Sequence, residues 1–143
     1  MPSLTLPGQL LAPFGGAKHL DQAVAAVGDV DVPAGHWEFL EQCVLFYETD
    51  NHFFVHAQYE PRLALQRQGR QYLLWLSLRD CIPQPHISGK TAIVGHTPQA
   101  DGRILDLLHL KCIDTGCVYG GTLTAMEVVT HQVWQVSAEV SVP

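Results

Sequence analysis

Apolar positions along the chain come in short blocks of two kinds, some with helical spacing and some continuous or alternating. Residues 1–16 are rich in Pro, Gly and Leu with no steady period, which predicts a loop, with 1–13 as a loop or disordered lead-in. Residues 20–27, L-D-Q-A-V-A-A-V, are Ala-rich and predict a short helix that Gly28 ends. Pro33 suits a first helical position, and the residues after it place Trp37, Leu40 and Phe39 on an inward stripe. The character then changes. Residues 44–49 and 52–57 are rich in β-branched and aromatic side chains, with Asp50-Asn51 between them, so a hairpin is expected. Residues 69–80 put Leu73, Trp75 and Leu76 within one broad helical face. Two prolines make 81–89 a loop, and T-A-I-V-G reads as a short, fully apolar strand. Strands are expected at 104–108, 111–114, 122–129 and 131–137, with turns at Gly120-Gly121 and Thr130. A few helices among many strands give an α/β or α+β class.

Composition narrows the function classes. The 143 residues fit one domain, 1–143, and are 47% hydrophobic and 15% charged, which is enough apolar material for a core. A net charge of -6 with only eight Lys and Arg argues against a nucleic-acid backbone binder and against a polybasic membrane anchor. Cys43, Cys81, Cys112 and Cys117 form no C-x-x-C pair and are expected to be buried, inert thiols in a reducing compartment. No positive side chain precedes Lys18, and no apolar run approaches the roughly 18–20 residues of a membrane span. A soluble, cytoplasmic protein is the expectation.

Histidine is abundant, with eight in the chain. His19, His36, His52, His109 and His131 stand alone, as surface or satisfied core residues do. His56 and His96 differ. F-F-V-H-A and A-I-V-G-H-T-P each run an apolar strand to a histidine at its end. Loops beyond the carboxyl ends of strands form the usual ligand crevice of layered α/β proteins, and neutral imidazole is the commonest metal ligand. On spacing alone, two unrelated strand-end histidines are the simpler account. A third segment, I-D-T-G-C-V-Y-G-G-T-L-T-A-M-E-V, stops a strand at Asp114 and presents Tyr119 just before a pair of glycines that permit a sharp reversal. A phenol at that loop tip can donate to a phosphate oxygen, or simply cap the core.

In this order, F-V-H-A, L-L-W, G-K-T-A-I-V-G-H-T-P and I-D-T-G-C-V-Y-G-G-T-L-T-A-M-E resemble the PPP-type metallophosphoesterases. The bacterial serine/threonine phosphatases and the related diadenosine tetraphosphate hydrolases show the pattern most closely, and the resemblance runs from about Phe14 to about Val129. It implies a calcineurin-like β-sandwich flanked by helices, and hydrolysis of phosphoprotein or other phosphoester substrates. A two-metal centre of manganese or iron would activate a water for attack on phosphorus. By match to the motifs, His56 and His96 would be ligands of one metal, and Tyr119 would lie by the bound phosphate.

Much of the family pattern is absent. The G-D-x-H-G, G-D-x-x-D-R-G and G-N-H-E motifs, which supply the other ligands and the catalytic histidine, do not occur. Gly28-Asp29-Val30-Asp31 resembles one of them only superficially. Gln58 stands where the family has glycine, and Ser77 where it has a phosphate-gripping arginine; Arg79 falls on another side of the expected helix. The resemblance therefore covers the C-terminal half of such a domain, with the N-terminal half missing. Two imidazoles alone imply weak binding of a single metal and little or no hydrolysis by this chain on its own. The alternative is a non-catalytic interaction module. Half a sandwich leaves strand edges and an apolar face that a second copy or a complementing half-domain would cover.

Overall fold

The computed structural model describes residues 33–138, and these divide into two compact units between Val44 and Leu45. The expected loop at 1–16, the helix at 20–27, His19 and the acidic pair Asp29 and Asp31 lie outside the described residues.

In the first unit, helix α1 spans Ala34–Gln42, one residue after Pro33. Pro33 caps it from an extended conformation, and its carbonyl accepts from His36 N at 2.8 Å. The expected stripe holds only in part: Trp37 and Leu40 are half-buried, but Phe39 is exposed.

The second unit is built on a five-stranded mixed sheet. Its strands are β1 (Phe46–Glu48), β2 (His52–Val55), β3 (Thr91–Val94), β4 (Leu105–Asp106) and β5 (Leu110–Cys112), in the order β1-β2-β3-β5-β4. The hairpin read from Asp50-Asn51 is present, with Tyr47 opposite Phe54 and Thr49 N bonded to His52 O at 2.8 Å. At the centre, β2, β3 and β5 run parallel, while β1 and β4 pair antiparallel at the two edges.

Register puts Phe53, Ala92 and Leu110 level, with Val55, Val94 and Cys112 on the same face. All six are buried, four of them completely. A parallel pair needs a long crossover, and residues 56–90 supply the one between β2 and β3. It contributes Tyr59, Leu65, Leu73, Leu74 and His86 to the core, with the Phe53 ring 5.0 Å from Tyr59 and 4.9 Å from His86. His86, a loop histidine, is fully satisfied. Nε2 donates to Leu63 O at 2.8 Å, and Nδ1 accepts from Ser88 N at 3.2 Å.

The helix expected over 69–80 is corrected to a single short one, α2 (Arg70–Trp75). Its inward residues are Leu73 and Leu74, and Trp75 is exposed. The reason is competition for carbonyls. Leu73 O and Tyr72 O, which a longer helix would bond to its own next turn, accept instead from Ala57 N at 2.8 Å and Gln58 N at 3.0 Å. Ser77 and Arg79 therefore lie beyond the helix.

Past the sheet, β6 (Thr122–Met126) and β7 (Val133–Ser137) form a separate antiparallel ribbon. Gly121 at its root has no room for a side chain, since a Cβ there would sit 2.3 Å from Thr115 O. Of the four cysteines, all free, only Cys112 is buried as expected; Cys81 is exposed, and Cys43 and Cys117 are intermediate. Among the described residues no helix is long and apolar enough to cross a membrane.

Candidate functional site

Parallel register decides what meets at the carboxyl edge of the central strands. Phe54 pairs with Ile93, so His56, just past β2, comes level with Gly95, just past β3. Gly95 N bonds to His56 O at 2.9 Å. Val94 pairs with Cys112, which brings His96 level with Asp114. The three side chains line one open cavity of about 240 Å³, together with Thr115, Cys117 and Leu123.

The two imidazoles meet. His56 Nε2 and His96 Nδ1 are 3.2 Å apart, with ring centroids 5.0 Å apart and planes at 61°. His96 takes a left-handed backbone, φ 63°, which costs energy in a non-glycine residue and turns its ring toward His56. Its other nitrogen, Nε2, lies 3.1 Å from Trp75 O. A carbonyl only accepts, so Nε2 carries the proton and Nδ1 presents a bare lone pair. Without a cation His56 Nε2–H donates to that lone pair; to ligate a cation beside His96 Nδ1, His56 would carry its proton on its own Nδ1 instead.

His56 is exposed on its open side, and the partial burial of its ring is the main force that lowers its pKa from the ordinary value; the neighbouring His96 adds to that effect and Asp114 opposes it. His56 thus stays neutral, as a ligand must be.

Tyr119 is not brought to this cavity. It ends a short 3₁₀ turn, Cys117–Tyr119, set between left-handed Gly116 and Gly120, and it is 78% exposed at the loop tip. The same loop sends Cys117 into the cavity wall. Of the other histidines, His36 and His131 are exposed, His52 is half-buried, and the half-buried His109 ring lies against Leu107 O and Pro83 O.

Sequence reasoning passed over Asp114 as a site residue, although the signal was the one that found the histidines: a polar side chain just past an apolar strand. It also gave Gln58 and Ser77 no structural role. Gln58 is buried, and its Nε2 donates to Ser77 O at 2.5 Å and Cys81 O at 2.8 Å. The Ser77 hydroxyl lies 3.3 Å from Thr97 Oγ1, and Arg79 Nη2 donates to Pro98 O at 3.2 Å.

No family model matches this chain, and no curated protein does. A solved structure does match. It is the crystal structure of a putative diadenosine tetraphosphatase, aligned over 88% of this chain and 64% of that one, with a TM-score of 0.66 and 19% sequence identity. The chain shares the fold of that structure. At that identity the likeness concerns the fold, and this chain spans just under two thirds of the other's length.

The residues at the carboxyl edge fit one divalent cation in part. Two nitrogens bound to a shared ion at about 2.1 Å stand about 3.0–3.4 Å apart, and the His56–His96 spacing of 3.2 Å falls in that range. The described residues do not by themselves make up the two-metal centre implied by the sequence resemblance. Among the described residues no three or more His, Cys, Asp or Glu side chains cluster so as to hold a metal.

Proposed function

We propose that this chain carries part of a phosphoester hydrolase site of the PPP metallophosphoesterase type, in which His56 and His96 take one divalent cation, manganese or iron. On its own it turns over phosphoesters little or not at all. The observation that carries the reading is the convergence of the two ring nitrogens at 3.2 Å at the edge where the parallel strands end. The fold likeness supports it, as does Asp114, whose negative charge offsets part of a cation's. A bound cation would attract phosphate oxygens. The chain's own part is to hold the imidazoles neutral and oriented, and to leave the cavity open to a phosphoester. Tyr119 stands outside the cavity at its exposed loop tip and is the candidate donor only to a part of the phosphoester that projects beyond the cavity.

The test combines manganese(II) titration with a para-nitrophenyl phosphate assay. Expected are weak binding that His56→Ala and His96→Ala each abolish, and turnover at the buffer rate. Absence of binding overturns the cation site. Turnover well above buffer, lost in His96→Ala, overturns the inactivity.

A second reading, self-association, is favoured by the ribbon. Its half-buried side is Thr122, Thr124, Met126 and Val133, while Leu123, Ala125, Trp134 and Val136 face outward. Neither strand carries a charged side chain, so nothing in β6 or β7 resists pairing with a second copy. Light scattering between micromolar and millimolar protein decides it: a dimer lost in Trp134→Lys supports this reading, and a monomer throughout removes it.

A further inference from the structure

The tautomer of His96 depends on one carbonyl, Trp75 O, and the helix does not fix that carbonyl. Trp75 is the last residue of α2, and the chain leaves the helix at once, with Leu76 extended at ψ 129°. The last carbonyls of a helix point where the following chain lets them. That chain, residues 76–81, has no regular structure beyond a turn, so its position is set by side chains.

Two groups hold it. On the β3 side, Thr97 Oγ1 accepts from Leu78 N at 2.9 Å. On the β2 side, Gln58 spends both amide hydrogens on it, at Ser77 O and Cys81 O. The amide orientation follows from chemistry, since its oxygen in that place would face two carbonyls. Gln58 is 4% exposed and lies two residues past His56. One buried side chain beside the first imidazole therefore clamps the segment whose carbonyl orients the second. Ser77 Oγ cannot substitute, because it lies on Thr97 Oγ1 and accepts from Arg79 N at 3.2 Å.

We propose that Gln58 is a positioning residue for the histidine pair: by clamping residues 77–81 it holds Trp75 O on His96 Nε2 and so keeps His96 Nδ1 bare toward His56. Its importance for cation binding rests on the reading above. Its effect on the tautomer does not, and the experiment separates them.

Imidazole ¹⁵N NMR on the metal-free protein, at a pH where the rings are neutral, reports the tautomer of His96. The wild type is expected to show the Nε2–H form predominating. Gln58→Met keeps the length and removes both donors, and it should mix the two His96 forms while the protein stays folded. Manganese(II) affinity should fall by about 10-fold, as for loss of an outer-shell contact. Leu65→Ala destabilises the core away from the clamp and should leave the His96 tautomer unchanged.

A folded Gln58→Met with a wild-type tautomer overturns the proposal, and so does mixing in Leu65→Ala. Should Gln58→Met not fold, the wild type warmed below its melting point supplies the measurement. Exchange of the Gln58 side-chain amide protons and mixing of the His96 tautomers must then begin together, and independent onset overturns the proposal. A fixed wild-type tautomer without manganese binding would leave the clamp standing and remove only the cation reading.

Discussion

The central parallel strands and the β6–β7 ribbon are opposite solutions to placing apolar side chains. In the parallel strands, Phe53, Ala92, Leu110 and Cys112 are wholly buried; in the ribbon, Leu123, Trp134 and Val136 are 64%, 55% and 68% exposed. The ribbon joins strands close in sequence through a short turn in which Glu127 accepts from Val129 N and Thr130 N. Local pairing of this kind needs little tertiary support. The parallel strands are far apart in sequence, and the 56–90 crossover supplies buried side chains that pack with them, among them Tyr59 and His86 against Phe53. The candidate site lies at the end of the second kind of structure, where packing over-determines backbone position and can hold a left-handed histidine in place.

The contrast can be broken by mutation, and the largest effect is expected in the parallel core. Phe53→Ala should cost about 3–5 kcal/mol in urea unfolding. Trp134→Ala, a larger truncation on the exposed ribbon face, should cost well under about 1 kcal/mol in the monomer. Equal losses would mean that the ribbon face is covered.

Gly121→Ala should rank next, at about 1–3 kcal/mol, because its Cβ meets backbone oxygen rather than a movable side chain. The loss should appear first as faster amide exchange in β6, with β2 and β3 protected.

The smallest effect concerns pH. His56 has a lowered folded-state pKa, so the unfolded chain takes up this proton first as pH falls. Its contribution to stability is complete above the ordinary imidazole value and is lost as pH drops through it toward the lower folded value. Thermal melts from about pH 7.5 to 5 should show this slope, and His56→Gln should flatten it.

Legibility in the sequence followed the same division. Elements set by local chemistry were readable: the Asp50-Asn51 hairpin, the β3 strand and the glycine-rooted ribbon all stand where patterns placed them. The site was half readable. A histidine after an apolar strand is visible in one dimension; that His56 comes level with Gly95, and that the left-handed backbone of the next residue turns His96 toward it, is not. Asp114 obeys the same rule and is legible as a strand end, but its place beside His96 depends on the β3–β5 register, which the sequence does not display. The length of α2 was hidden, because its end depends on Ala57 N and Gln58 N arriving from a distant segment. The role of Gln58 was hidden for the same reason, since its partners are 19 and 23 residues away.

The central claim is that His56 and His96 act as one cation-binding pair. Paramagnetic broadening of imidazole signals by manganese(II), added in small steps, tests it most directly. The ring signals of His56 and His96 should vanish together at the first additions, while those of His36, His52, His86, His109 and His131 persist. Broadening spread evenly over all the rings, or reaching only one of the pair, would contradict the account.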